Sequence, residues 1–104
     1  MEFVETPIFT RRIVELMDDR QYAALQAFLL RQPDAGDRIP GGQGLRKLRW
    51  GSGPKGKRGG ARIIYYLCEG RRIYMIYPCK KSDQEDLPAE QLRHLAFYVK
   101  GGVL

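Results

Sequence analysis

Residues 2–5, Glu-Phe-Val-Glu, alternate polar and apolar, the two-residue period of a short strand. The period then changes. Thr6 before Pro7 reads as an N-cap followed by proline at the first helical position. Ile8, Phe9, Ile13, Leu16 and Met17 recur at helical spacing, so a first helix is expected over about 7–17. Asp18 or Asp19 caps a second helix with the apolar stripe Tyr22, Leu25, Phe28 and Leu29, ending before Pro33. Positions 34–44 are turn chemistry, rich in Gly, Asp and Pro.

Beyond that the period is that of strands. Positions 45–50 read as a strand carrying cations, and 51–60 as a loop with five glycines, Pro54 and three cations. The run Ile63-Ile64-Tyr65-Tyr66 marks a strand over 61–68. Glu69-Gly70 turns the chain into a hairpin partner over 72–79. Leu87-Pro88 opens a last helix with the stripe Leu92, Leu95, Ala96 and Val99, stopped at Gly101. The order β-α-α-β-β-β-α, with no internal repeat, predicts a single α+β domain over 1–104. A small, largely antiparallel sheet would carry its helices on one face and leave the other for function.

At 104 residues the chain supports one modest core. Its hydrophobic fraction of 43% is ordinary for a globular domain. The opening MEFVETPIFTRR lacks a basic segment followed by a long apolar one, so no secretory signal is expected and the cytoplasm is the default. Cys68 and Cys79 form no CxxC and stand in no cysteine–histidine cluster, so no metal or other cofactor is expected. They read as small strand fillers that the hairpin could bring near each other.

Charge changes the picture more. The net charge is +6, but positions 44–81 hold 11 Lys/Arg against Glu69 alone, while both flanks are net acidic. A basic block inside a folded domain is the footprint of a polyanion partner. Gly51-Ser52-Gly53-Pro54-Lys55-Gly56-Lys57 fits GxxxxGK, but Arg58 stands where a P-loop needs Ser or Thr for Mg²⁺, and a strand follows instead of a helix. Nucleotide hydrolysis is therefore not expected. His94 is the single histidine, on the exposed side of the last helix, so a two-histidine ribonuclease mechanism is excluded by count. Lysine and arginine chemistry remains. Lys55, Lys57, Arg58 and Arg62 crowd together in sequence, and like charge lowers a lysine pKa toward that of a usable base. Arg71 and Arg72 flank the turn and read as solvated.

The stretch GLRKLRWGSGPKGKRGGARIIYYL, positions 44–67, resembles the central signature of the RelE/ParE superfamily of bacterial toxins, most closely its HigB-type RelE-like branch. FVETPIF at 3–9 and KKSDQEDL at 80–87 resemble that branch too. The likeness covers nearly the whole chain and implies the RelE-like β-α-α-β-β-β-α fold. It also implies a ribosome-dependent endoribonuclease. Such toxins enter the 30S A site and cut mRNA by attack of a ribose 2′-hydroxyl on the neighbouring phosphate. That reaction needs a base, an acid and cations on the phosphorane.

The resemblance places Arg62 on the scissile phosphate, a role suited to a planar fork of donors. It assigns a basic pair to Lys81 and, less closely, Lys80, both ending the strand that pairs with Arg62's strand. It places a lysine at Lys47. Lys55 and Lys57 join the catalytic candidates. Arg46, Arg49, Arg58, Lys47 and Tyr66 are the RNA-binding candidates, Tyr66 because strand alternation puts it on Arg62's face, opposite Ile63, Tyr65 and Leu67. One departure stands out. Leu87, after Asp86, occupies the place where some relatives carry a base-stacking tyrosine, so stacking either passes to Tyr66, Tyr77 or Trp50 or is weaker in this chain. Two other readings stay open: a ParE-like toxin with a protein target such as DNA gyrase, and an inert RNA-binding domain. Either toxin reading implies a neutralising antitoxin, expected to be a helix-turn-helix protein like HigA.

Overall fold

The computed structural model describes residues 2–51, 60–68, 72–80, 93–95 and 97. The expected turn at Glu69-Gly70, most of the glycine-rich loop with Lys55, Lys57 and Arg58, and Lys81, Leu87 and most of the last helix lie outside them. The described elements run β1 (Glu2–Glu5), α1 (Pro7–Leu16), α2 (Asp19–Arg31), β2 (Asp37–Arg38), β3 (Leu45–Trp50), β4 (Ala61–Cys68) and β5 (Arg72–Lys80). They form one five-stranded sheet in the order β1-β5-β4-β3-β2. β5, β4, β3 and β2 pair antiparallel.

The sheet is largely antiparallel, as expected, but not wholly so, and one expectation about it is corrected. β1 pairs parallel to β5, Glu2 against Arg72 through Glu5 against Met75, so the sheet is mixed. The residues between the two strands include both helices, which supply the crossover that a parallel pair requires. The correction is β2, a two-residue strand inside the segment read as turn, pairing Asp37 with Lys47 and Arg38 with Arg46.

Local signals explain the helices. The Thr6 hydroxyl accepts from the Phe9 N–H at 3.1 Å and Pro7 opens α1. Asp18 caps α2 in a reciprocal box with Gln21. Phe9 and Ile13 from α1 and Leu25 and Leu29 from α2 pack on Ala61, Ile63, Tyr65, Ile73 and Met75 to make the main core. Trp50 belongs to this side, its ring 5.3 Å from that of Phe28. Tyr65 is fully buried; its hydroxyl accepts from the Gly36 N–H and donates to the Pro33 carbonyl, both at 2.8 Å.

The opposite face is not simply open, nor are all helical residues on one side. Leu45, Ile64 and Ile76 form a second buried cluster, flanked by Ile39, Tyr66, Tyr74 and Tyr77 and joined by Leu95 from the helical segment 93–95. The continuous apolar runs in β4 and β5 are the mark of strands covered on both faces.

A β-bulge sets which residues reach this second face. Ile64 pairs with Tyr77 but Tyr65 pairs with Met75, so Ile76 is the extra residue. Alternation from Ile73 and Met75 would send Tyr77 into the helix-covered core; the bulge turns it to the other face beside Ile64. Thr6 holds the bulge. Its N–H donates to the Met75 carbonyl at 3.1 Å and its hydroxyl to the Ile76 carbonyl at 2.8 Å, while the same oxygen caps α1. β1 accompanies β5 only through Met75, so Pro78 falls where β5 has β4 as its one described strand neighbour.

Candidate nucleic-acid interface

Three of the predicted site residues come together on the second face. β3 and β4 pair Lys47 with Ile64 and Arg49 with Arg62. Strand alternation turns Lys47, Arg49, Arg62 and Ile64 to one side. Lys47, Arg49 and Arg62, with Asp37, Ala35 and Leu48, line a cavity of about 500 Å³. β2 covers only the Arg46–Lys47 part of β3, so this end of β3 has no further strand beside it among the described residues. The sheet thus runs from an apolar half at Leu45, Ile64 and Ile76 to a cationic half at Lys47, Arg49 and Arg62.

Arg62 is only 5% exposed, a buried charge held between two strands one residue in from the end of the pairing on each side. Three cations share this cavity with one carboxylate, Asp37, among the described residues. An anion is the natural complement of that field.

Other candidates fall elsewhere. Arg46 projects with Tyr65 on the helix-covered side. It donates through Nη1 to the carbonyls of Gly36 at 2.7 Å and Asp34 at 3.2 Å, pinning the loop that leads into β2. Lys80 is exposed and sits across from Ala61, while Arg62 faces Cys79; the bulge reverses the alternation of β5, so that Lys80 falls with Ala61 on the face opposite Arg62. Tyr66 lies at the apolar end, paired with Leu45, its ring 6.4 Å from that of Tyr74. It is four residues along β4 from Arg62, about 13 Å at strand rise. Gly44, at a φ of 101°, lies so close that a Cβ there would stand 2.9 Å from Tyr66 Cε1. Cys68 and Cys79 form no disulfide; they lie at opposite ends of the hairpin, paired across strands with Arg72 and Arg62, so the hairpin does not bring them together. His94 is exposed. Lys55, Lys57, Arg58 and Lys81 lie outside the described residues.

Two residues gain importance that the basic block did not indicate. Asp37 joins the cavity as the cross-strand partner of Lys47. Arg12 reaches the same side of the molecule from α1. Its guanidinium lies over the Tyr77 ring, 5.0 Å from the centroid, and its Nε donates to the Pro78 carbonyl at 3.2 Å. Arg12 lies far from the block in sequence, and only the packing of α1 along β5 could reveal it.

Among the described residues no group of three His, Cys, Asp or Glu is arranged to hold a metal ion. No described helix is long and apolar enough to cross a membrane. No protein-family model matches the chain.

Proposed function

We propose that this chain is the toxin of a type II toxin–antitoxin pair, a ribosome-dependent endoribonuclease of the RelE-like kind that cuts mRNA in the A site. The observation that carries the reading is the set Lys47, Arg49 and Arg62, aligned across β3 and β4 around one cavity. The resemblance of positions 44–67 to the RelE/ParE signature points the same way.

The reaction follows from what such a site can do. The 2′-hydroxyl gives its proton to a base and its oxygen bonds to phosphorus. The bond from phosphorus to the 5′-oxygen breaks, and an acid protonates the leaving oxygen. The products are a 2′,3′-cyclic phosphate and a 5′-hydroxyl. Negative charge grows on the two non-bridging oxygens in the transition state, where strand-held guanidinium groups act most strongly. Arg62 is the phosphate-binding residue in this reading, with Arg49 and Lys47 beside it. Base and acid come from the lysines, Lys55, Lys57, Lys80 or Lys81. A helix-turn-helix antitoxin neutralises the toxin in the cytoplasm.

Incubating the purified chain with translating ribosomes and mapping new 5′ ends tests this. Cuts within codons, bearing 5′-hydroxyls, are expected. Intact mRNA beside ribosome-bound chain would overturn the reading and leave a protein-directed toxin or an inert RNA-binding domain.

A further inference from the structure

We infer that Asp37 accepts a hydrogen bond from a ribose 2′-hydroxyl of the strand whose phosphate lies on Lys47, Arg49 and Arg62, and so makes the cavity select RNA over DNA. The inference rests on the nucleic-acid reading above and assigns a sugar-reading residue to it.

Three observations lead to Asp37. First, it stands in the cationic cavity itself, the one carboxylate that lines it among the described residues. β2 pairs it with Lys47, so both face the same side of the sheet, and Arg49 is its diagonal neighbour on β3. Such neighbours lie about 7–8 Å apart. That gap suits one ribose between a phosphate on the arginines and the carboxylate. Second, its charge is the wrong one for a phosphate. An ionised carboxylate only accepts hydrogen bonds, a phosphodiester likewise, and the two repel. What a carboxylate can bind on a nucleic-acid strand is a donor. The 2′-hydroxyl is the donor on the sugar carbon next to the 3′-phosphate, and DNA lacks it. Base amino groups lie farther from that phosphate, on the other side of the sugar.

Third, the carboxylate is fixed in place from both sides. Before it, the Gly36 N–H donates to the Tyr65 hydroxyl at 2.8 Å, and the Gly36 carbonyl accepts from Arg46 Nη1 at 2.7 Å. After it, the Ile39 N–H donates to the Leu45 carbonyl at 3.0 Å. A group that reads a hydroxyl must be held to a geometry, and a residue pinned on a sheet is held better than one on a loop. Arg38, the other residue of β2, pairs with Arg46 and falls on the opposite side, so β2 presents Asp37 alone to the cavity. A plain counter-charge for Lys47 would weaken RNA and DNA binding alike. A sugar reader separates them.

The test measures binding, at one salt concentration, of two single strands of identical adenine and cytosine sequence, one ribose and one deoxyribose. The wild-type chain, Asp37→Asn and Asp37→Ala are compared. RNA strands with one 2′-deoxy nucleotide at each position in turn locate the contact. Asp37 is exposed, and thermal unfolding checks that each variant is folded. Wild type should prefer the RNA strand, with one 2′-deoxy position weakening binding about 10- to 150-fold, the scale of one hydrogen bond to a charged group. Asp37→Ala should bind the DNA strand at least as tightly as wild type, because the repulsion is gone, and should show no penalty at that position. Asp37→Asn, which keeps an acceptor without the charge, should fall between. An RNA preference of equal size in Asp37→Ala, or a wild-type chain that binds both strands equally or neither, would overturn the inference. An RNA preference lost with Asp37 but no cleavage on ribosomes would uphold it and overturn the endonuclease. Cleavage within codons, with an RNA preference independent of Asp37, would do the reverse.

Discussion

Arg49 on β3 stands directly across from Arg62 on β4, two guanidinium-bearing side chains in register on one face of a sheet. Like charges directly opposite oppose pairing, by up to about 1 kcal/mol. A fold selected for stability alone has no use for this pair; an anion site does. Arg49→Thr should therefore raise the denaturation midpoint slightly while weakening RNA binding. The slope of log affinity against log salt should become shallower by about one, because one phosphate contact fewer releases counterions. A destabilised Arg49→Thr with an unchanged salt slope would remove the phosphate role.

Thr6 links α1 to the bulge that re-aims Tyr77. Thr6→Val keeps the shape but deletes the cap on Phe9 N–H and the bond to the Ile76 carbonyl. A lost cap costs about 1 kcal/mol and a stranded buried carbonyl about 1–3 kcal/mol. Urea unfolding should show a loss of about 2–4 kcal/mol, largely recovered in Thr6→Ser.

Gly36 passes against Tyr65 where no side chain fits. A Cβ there would lie 2.8 Å from Tyr65 Cε1 and 3.1 Å from the Lys47 carbonyl oxygen. Gly36→Ala should cost about 1–3 kcal/mol, as overpacking does. Because Lys47 must yield, the variant should also lose RNA affinity under conditions where it stays folded.

Alkaline stability has a definite sign. Burial first, then the bond to Glu5, holds the Tyr22 hydroxyl well above its ordinary pKa of 10.0. Burial does the same for Tyr65, against the opposing pull of its Gly36 bond. Below pH 10 both tyrosines are neutral, folded or unfolded, and their contribution is complete. Above it the unfolded chain ionises first, so stability falls as pH rises. Unfolding free energy from tyrosines should be level up to about pH 9 and decline beyond pH 10. Tyr22→Phe should be weaker at neutral pH but decline less steeply; an identical alkaline slope would remove Tyr22 from the account.

Much of this was legible in the residues. The caps at Thr6 and Asp18 and the periods of α1, α2, β3, β4 and β5 locate those elements within a residue. Periodicity does not name partners, however, so the parallel pairing of β1 with β5 was hidden. β2 is too short to show a period. The bulge was the costliest omission: one extra residue at Ile76 turned Lys80 to the face opposite Arg62 and brought Tyr77 to the cationic face. Alternation along β3 separates Lys47 and Arg49 from Arg46, but only the packing shows that the first two face the cavity and that Arg46 pins the Asp34–Gly36 loop. Arg12 gave no signal because its role comes from helix–strand packing.

The central claim is that Arg62 acts on the scissile phosphate. Its most direct test is single-turnover cleavage of mRNA on programmed ribosomes at saturating Arg62→Ala, with circular dichroism to confirm the fold. The account predicts a rate reduced about 100- to 1000-fold, with the variant still bound to ribosomes. A folded Arg62→Ala that cuts at the wild-type rate would contradict it.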